Sequence, residues 1–314
     1  MKIALLDDWM SDALKSSDWS QLSANHQLDV FHDTLTGSAL IERLYEYDIL
    51  GIMRERTKFD AAVIDALPNL KAIVTTGKHN NAIDIGYAAQ KQIVVMGTDS
   101  PGFATAELAM TLIGALARQL VPSVNSMQQG GWQVATGSDL RGKTLGILGL
   151  GRLGKQLAHF GKAYGMDIQA YSQNLTAEIC QEQDVRYCDK QTFFETSDFI
   201  SIHLKMSDRV RHLVGADELQ SMKNTAYLVN TSRSGIIDTD ALVAALHSGS
   251  IKGAAIDVYD KEPVPADDPL RTTPNLVMTP HIGYVTAQTM VVFYDQMREI
   301  IESYIAGKPI SVIS

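Results

Sequence analysis

The chain has little cysteine and no long hydrophobic run. Cys180 and Cys188 are the only cysteines among 314 residues, and they do not form a C-x-x-C pair. Two thiols cannot build a disulfide framework in a chain of this size, so we expect a reducing compartment, the cytoplasm. We also expect neither a signal peptide nor a membrane-spanning segment, because no apolar run is long enough for either role.

Positive charge is scarce as well. Lysine and arginine total 27 against 36 aspartates and glutamates, which gives a net charge of −9. This balance argues against nucleic acid or an anionic membrane as a partner, while it leaves room for a local basic pocket that binds a small anion. No internal repeat, low-complexity segment or long charge run occurs, and no metal site is predicted. A hydrophobic content of 45% over 314 residues is typical of a globular protein with two domains.

Short apolar runs alternate with helix-like segments along the whole chain, and this pattern is typical of parallel sheets flanked by helices. The predicted strands are 2–6, 48–53, 70–75, 92–96, 144–148, 167–171, 198–204, 225–230, 253–258 and 275–279, and the predicted helices include 37–46, 59–67, 100–120 and the last 30 residues. We expect Ser100 to cap the helix at 100–120, with Pro101 in its first turn.

The most informative stretch is LGILGLGRLG at 145–154, which leads a buried strand into a glycine-rich turn and a helix. Gly149, Gly151 and Gly154 have the spacing G-x-G-x-x-G of a dinucleotide-binding turn. The first glycine permits the tight turn, the second lets a pyrophosphate approach the backbone, and the third lets helix and strand pack closely. The start of the helix favours an anion. The sequence therefore predicts a nucleotide site here.

These observations predict an α/β fold with two Rossmann-like domains. A parallel-sheet, dinucleotide-binding domain at 100–283 is inserted in a flavodoxin-like substrate domain, which consists of residues 1–99 and 284–314.

Three polar residues follow three of the predicted strands: Arg233, Glu262 and His281. The ligand crevice of an open parallel sheet lies outside the carboxyl ends of its strands, so the three can converge on one site. Arginine can bind a carboxylate with two hydrogen bonds, histidine can transfer a proton near neutral pH, and glutamate favours the imidazolium. Taken alone, Arg233 is more often a surface charge on a loop, Glu262 fits a plain turn, and a histidine such as His281 is more often a solvated or core residue, so the argument depends on their coincidence.

Several segments together resemble the D-isomer-specific 2-hydroxyacid dehydrogenase family, whose members use NAD or NADP and include glyoxylate/hydroxypyruvate reductases and phosphoglycerate dehydrogenases. They are VNTSRSGIID (229–238), DVYDKEP (257–263), TPHIGY (279–284), GLGRLG (149–154), TTGKHNNAID (75–84), SPGFATAELAMTL (100–112) and MRERTKF (53–59). The resemblance implies hydride transfer between a nicotinamide cofactor and a small 2-keto or 2-hydroxy acid. It also implies a homodimer formed through the cofactor domain.

Carried over position by position, the resemblance makes Arg233 the substrate-binding arginine, Glu262 the partner of the histidine and His281 the acid/base. It implies cofactor contacts at Gly149, Gly151, Arg152, Leu153, Gly154, Ser172, Asn230, Thr231 and Asp257, and substrate contacts at Arg54, Gly77, Lys78, Arg233 and His281.

The chain departs from the family pattern at the end of the strand 167–171. Ser172 stands where an acidic residue binds the ribose 2′-hydroxyl of NAD and repels the 2′-phosphate of NADP. No arginine stands beside Ser172 in the sequence, so the choice between the two cofactors is open.

Two other functions compete with a 2-hydroxyacid dehydrogenase. An NAD(H)-sensing corepressor has the same fold, although the intact Arg/Glu/His set favours catalysis. Formate dehydrogenase resembles the same family, but it typically has glutamine where this chain has Glu262.

Overall fold

In the computed structural model, residues 1–313 are described, and they form two α/β units. The first contains Met1–Pro101 and Val285–Ser314, and the second contains Gly102–Tyr284. The strands are β1 (Lys2–Leu5), β2 (Gln27–Val30), β3 (Ile49–Ile52), β4 (Ala72–Thr75), β5 (Val94–Gly97), β6 (Thr144–Leu148), β7 (Asp167–Tyr171), β8 (Arg186–Tyr187), β9 (Phe199–Ile202), β10 (Tyr227–Asn230), β11 (Gly253–Ile256) and β12 (Leu276–Met278).

The helices are α1 (Ala13–Ser16), α2 (Ser20–Asn25), α3 (Gly37–Leu44), α4 (Ala61–Asp65), α5 (Ile85–Gln90), α6 (Ala104–Ala117), α7 (Leu120–Gln128), α8 (Arg152–Ala163), α9 (Ala177–Glu182), α10 (Lys190–Thr196), α11 (Ala216–Ser221), α12 (Thr239–Ser248) and α13 (Ala287–Ile305). No helix within residues 1–313 has the length and apolar character needed to cross a membrane.

The first unit is a five-stranded parallel sheet with the order β2-β1-β3-β4-β5. This is the flavodoxin-like strand order, and it confirms the prediction for the fold of this unit. The strand residues of β3 and β4 are fully buried, as expected where helices cover both faces of a parallel sheet.

The second unit is a seven-stranded parallel sheet with the order β12-β11-β10-β9-β6-β7-β8. Six of these strands have the Rossmann order, with β12 added at one edge. Successive residues of β10 belong to opposite hydrophobic clusters, Leu228 to one and Val229 to the other. The sheet is therefore buried on both faces, and a ligand is expected at its strand ends.

The predicted helix at 100–120 needs a correction. The helix α6 begins at Ala104 after Phe103, with no side-chain cap, so Ser100 does not cap it. The helical run stops at Ala117 because Gln119 has a left-handed backbone with φ +50°, and α7 begins directly after it. Gly165 ends α8, with φ +73° and its amide bonded to the Lys162 carbonyl.

Candidate active site

The glycine-rich turn joins β6 to α8, at the point where the strand order of the second sheet reverses. Gly149 has φ +103°, a conformation that only glycine adopts without strain. A Cβ on Gly154 would overlap the Gly149 carbonyl oxygen, so the third glycine lets the helix approach the turn. A Cβ on Gly151 would meet no atom within 4 Å. The second glycine is therefore the one that leaves open space at the start of α8.

This open space fits a dinucleotide. The helix α8 has no side chain bonded to its first amides, and such amides attract an anion. Thr231, 6% exposed, has a buried hydroxyl with no hydrogen-bond partner among the described residues. An unpaired buried hydroxyl is costly, and a bound polar group would satisfy it. Arg152 and Leu153 form the first turn of α8, and the Arg152 guanidinium lies against Gly102.

Glu262 and His281 form a hydrogen-bonded pair at the carboxyl edge of the second sheet. His281 Nδ1 lies 2.6 Å from Glu262 Oε2, and the other carboxylate oxygen accepts the Tyr259 amide at 2.9 Å. Since a carboxylate only accepts, Nδ1 carries the shared proton and Nε2 is the nitrogen that can exchange a proton with another molecule. Both side chains are 26% exposed, so the pair is accessible while partly shielded from water.

The loop that carries His281 is held in place by Asp257. His281 itself has φ +53°, an uncommon backbone conformation for a residue with a side chain. The Asp257 carboxylate accepts the Ile282 and Gly283 amides, both at 2.8 Å, and the Thr279 hydroxyl at 2.6 Å. Burial raises the pKa of Asp257, and the hydrogen bond from Thr279 opposes this rise. Asp257 thus bonds to a side chain before the histidine and to the backbone after it.

Arg233 lies in the loop after β10, next to the strand that leads to Glu262. Asn230 shapes this loop, since its Nδ2 donates to the Arg233 carbonyl at 2.9 Å and its Oδ1 accepts the Ser232 amide at 3.0 Å. Arg233 Nη1 donates to the Ser232 carbonyl at 2.8 Å. The side chains of Asn230 and Asp257 therefore bond to the loops that carry Arg233 and His281, and their predicted contact with the cofactor stays a prediction.

In the first unit, Arg54 and Gly77 lie at the carboxyl ends of β3 and β4. Arg54 has φ +53°, its amide donates to Thr76 Oγ1 at 2.9 Å, and Asn80 Nδ2 donates to its carbonyl at 2.6 Å. Its guanidinium occupies the space where Gly77 would carry a Cβ. The Gly77 amide already donates to Thr98 Oγ1 at 2.9 Å. Gly77 thus leaves room for the Arg54 side chain, and its contact with substrate stays a prediction.

Lys78 follows Gly77 and is about half exposed. Its Nζ lies 2.6 Å from Asp99 Oδ1, an ion pair within the first unit. An exposed pair of this kind contributes little to stability, so the ammonium can exchange Asp99 for another anion at low cost. The role of Lys78 toward a substrate stays a prediction.

Comparisons with known proteins decide the family. Residues 110–283 match the family model described as the D-isomer specific 2-hydroxyacid dehydrogenase NAD-binding domain. A glyoxylate reductase of Korarchaeum cryptofilum is 35% identical over 281 residues, which cover 86% of this chain and 84% of that protein. The chain belongs to the D-isomer specific 2-hydroxyacid dehydrogenase family.

Other members of the family are similar over comparable lengths. A hydroxypyruvate reductase of Thermotoga maritima is 36% identical, with 89% of this chain and 92% of that protein covered. The crystal structure of a putative D-3-phosphoglycerate dehydrogenase from Ralstonia solanacearum superposes with a TM-score of 0.94 at 32% identity, covering 99% of this chain and 96% of that one. This 2-hydroxyacid dehydrogenase is therefore an oxidoreductase that uses NAD or NADP.

Within this dehydrogenase, sequence reasoning missed the residues that position the site. Tyr284 packs against the His281 ring in an edge-to-face contact with the ring centroids 5.7 Å apart. Tyr259 donates its hydroxyl to the Thr279 carbonyl at 2.8 Å, which ties the Glu262 loop to the His281 loop. The sequence places both tyrosines inside the segments that resemble the family, but the spacing alone does not reveal their contacts.

Proposed function

We propose that this chain interconverts a small 2-keto acid and its D-2-hydroxy acid. The observation that carries the proposal is the Glu262–His281 pair, joined at 2.6 Å beside the loop of Arg233. Three adjacent parallel strands, β10, β11 and β12, bring these residues to one edge of the sheet. An acid/base group next to a carboxylate-binding arginine is the set that reduction of a 2-keto acid requires.

His281 is the proposed acid/base. When protonated, its Nε2 delivers a proton to the carbonyl oxygen that becomes the hydroxyl, and in the reverse direction it takes that proton back. Glu262 stabilises the protonated ring and fixes its orientation through Nδ1. A bound nicotinamide would supply or accept the hydride at the substrate carbon atom that bears this oxygen. Gly151 and the first turn of α8 are proposed to hold its pyrophosphate.

Arg233 is the proposed substrate clamp. Its planar guanidinium can bind the substrate carboxylate with two hydrogen bonds and polarise the neighbouring carbonyl. The Asn230 contacts to the main chain of Ser232 and Arg233 support this role, because they fix the loop from which the side chain extends. Arg54 and Lys78 of the first unit are proposed as further substrate contacts, which would favour a polar or acidic substrate.

The Glu262–His281 pair also favours one of the alternative functions over the others. A formate dehydrogenase needs no proton transfer, because hydride leaves carbon dioxide behind, and a corepressor needs no acid/base at all. The buried Asp257 carboxylate accepts the two backbone amides that follow His281. Such positioning is difficult to explain if this histidine takes no part in catalysis. Catalysis is therefore the better proposal.

We further propose that a second copy of this chain covers α7 and the segment after it. Leu120, Val124, Met127, Trp132 and Val134 are between 44% and 71% exposed there. No charged residue occurs between Arg118 and Asp139, although the chain as a whole carries a net charge of −9. A neutral apolar surface is where two equally charged copies can associate with the least repulsion. Sedimentation velocity of wild type and Trp132→Asp tests for the dimer.

The cysteines support a proposed location in the cytoplasm. Cys180 and Cys188 are free and buried, and burial raises the pKa of both thiols. Unreactive reduced thiols support the proposal of a cytoplasmic protein.

The direct test is oxidation of NADH and NADPH in the presence of glyoxylate, hydroxypyruvate and pyruvate. Arg233→Ala should reduce kcat/KM by about ten- to a hundred-fold, since a hydrogen bond to a charged group contributes about 1.5–3 kcal/mol. Arg233→Lys should restore only part of this loss, because an ammonium cannot form the two-pronged contact. A folded alanine variant with wild-type kcat/KM would contradict the clamp, and absence of turnover with every keto acid and both cofactors would favour the corepressor.

A further inference from the structure

The fold places an arginine beside Ser172 that the sequence does not place there. Gln173, in the loop after β7, donates its Nε2 to the Arg209 main-chain oxygen at 3.4 Å. Arg209 lies 36 residues further along the chain, in the short 3-10 turn Asp208–Val210. The loop after β9 therefore reaches across the end of β6 to the loop after β7.

Apolar packing holds this loop in position. Val210, 8% exposed, belongs to the same hydrophobic cluster as Leu148 at the end of β6, and Tyr171 and Leu204 pack against that cluster. Leu204 also lies beside Gly149, close to where a Cβ would stand. Since the buried Val210 follows Arg209 directly, the position of the arginine backbone is fixed beside the glycine turn.

The loop is cationic. Lys205, Arg209 and Arg211 are exposed, and within residues 1–313 no ion pair or side-chain hydrogen bond is seen for any of them. Asp208 is the one acidic residue in residues 203–212. His203 adds no charge, because burial lowers its pKa to about 4 and its Nε2 lies 2.9 Å from Ser201 Oγ. This surplus of positive charge contrasts with the chain's net charge of −9.

Next to this cationic loop, the loop after β7 has no charge. Ser172, Gln173 and Asn174 occupy the positions at which a carboxylate would repel a phosphate on the adenosine ribose. An uncharged loop next to the backbone of an exposed arginine suits a dianion, which guanidinium binds through charge-assisted hydrogen bonds.

From this juxtaposition we propose that Arg209 and Ser172 form a subsite for the 2′-phosphate of NADP(H), with Arg209 as the residue that determines cofactor specificity. The inference rests on the proposed function, since it assigns one end of the same cofactor site. Arg211 is the matched control in the same turn, because its guanidinium extends to Gly235, by the Arg233 loop.

The experiment measures binding by calorimetry, with adenosine 2′,5′-bisphosphate and 5′-AMP as probes, so that it does not depend on turnover. Wild type should bind the bisphosphate about ten- to a hundred-fold more tightly than AMP, the range expected for a charge-assisted contact. Arg209→Gln should remove most of this preference and leave the affinity for AMP unchanged, whereas Arg211→Gln should keep it. Ser172→Asp should weaken binding of the bisphosphate at least about tenfold through repulsion.

The outcomes separate the two proposals. Equal affinity of wild type for both probes, together with normal NADH binding, would overturn the 2′-phosphate subsite alone. An equal loss of preference in Arg209→Gln and Arg211→Gln would overturn the assignment to Arg209. Failure of wild type to bind AMP, NADH and NADPH would overturn the proposed function as well.

Discussion

The two units have the same construction, yet they use the turn after the first strand in opposite ways. In the second unit that turn contains Gly149, Gly151 and Gly154, and it leaves open space at the start of α8. In the first unit the turn after β1 contains Asp7 and Asp8, both 1% exposed. Each turn lies where the strand order of its sheet reverses, the position at which α/β sheets bind ligands.

The first unit fills this position with its own side chains. The Asp7 carboxylate accepts hydroxyl hydrogen bonds from Thr34 and Thr57, and the Asp8 carboxylate accepts the Asp12 and Ala13 amides. These bonds tie together the loops after β1, β2 and β3. A turn with two buried carboxylates would also repel a pyrophosphate. The strand order therefore does not decide where a nucleotide binds, whereas the residues of one turn do.

The largest effect on cofactor affinity should come from an aspartate in the glycine turn of the second unit, where the first unit has Asp7 and Asp8 in the corresponding turn. Gly151→Asp should fold, because Gly151 has φ −81° and a Cβ there meets no atom. Two charges about 4 Å apart repel by about 4 kcal/mol at an effective dielectric constant of about 20, so NADH affinity should fall by about a thousand-fold. Fluorescence titration with NADH measures the loss.

Gly151→Ala is the matched control for that variant, since it adds the Cβ without the charge. It should lose less affinity than Gly151→Asp and have the same melting temperature. Tight NADH binding by a folded Gly151→Asp variant would show that the pyrophosphate does not approach this turn.

A loss of comparable size, in turnover rather than in cofactor affinity, should follow from removing the proposed acid/base. His281→Ala should lower kcat by about 10²–10⁴-fold, the usual contribution of a positioned acid, because water must then protonate the product oxygen. NADH affinity should stay unchanged, since the histidine loop is held by Asp257 rather than by the imidazole. If the variant kept its kcat and lost NADH binding instead, His281 would be a structural residue.

Glu262→Gln should move the pH dependence more than the maximal rate. The carboxylate stabilises the protonated ring through the 2.6 Å contact with Nδ1, and an amide does so less. Reduction needs the protonated ring, so in the variant it should fall off at a lower pH as the pH rises. Oxidation of the hydroxy acid needs the neutral ring and should continue to a lower pH than in wild type. Coincident pH–rate profiles in both directions would refute the pairing.

Most strands could be predicted from the sequence because parallel strands in a sheet interior are continuous apolar runs. The two that were missed, β2 and β8, are edge strands, and their residues are exposed or only partly buried. An edge strand has one neighbour and buries less, so its pattern resembles that of a loop. The existence of a strand was therefore readable where the run is apolar, as in β12, an edge strand that is only partly buried and was predicted.

The candidate site divides in a similar way. The glycine turn is local in sequence, so its spacing alone predicts its geometry. Asp257 bonds to amides 25 and 26 residues away, and the Arg209 carbonyl meets a side chain 36 residues away. Such contacts depend on which strands become neighbours and on where each loop turns. Neither is encoded in the spacing of motifs.

The smallest expected effect lies in the first unit and concerns stability alone. Burial raises the pKa of Asp7 above its ordinary value of 3.8, while the hydrogen bonds from Thr34 and Thr57 and the charge of Arg56 oppose the rise. The folded state therefore binds this proton more tightly than the unfolded state does. Ionised Asp7 lowers the stability, and this loss develops as the pH rises from 3.8 through the raised pKa.

Asp7→Asn cannot ionise, and hydroxyl groups can accept a hydrogen bond as well as donate one. We therefore expect a slightly higher melting temperature than wild type at neutral pH and no difference in acid. Asp8→Asn is the control, because an amide nitrogen in place of one carboxylate oxygen would face the Asp12 or Ala13 amide. It should lose about 1–3 kcal/mol, the cost of an unsatisfied buried donor. NADH affinity should be unchanged in both variants, and an altered affinity would mean that the acidic turn also takes part in binding the nucleotide.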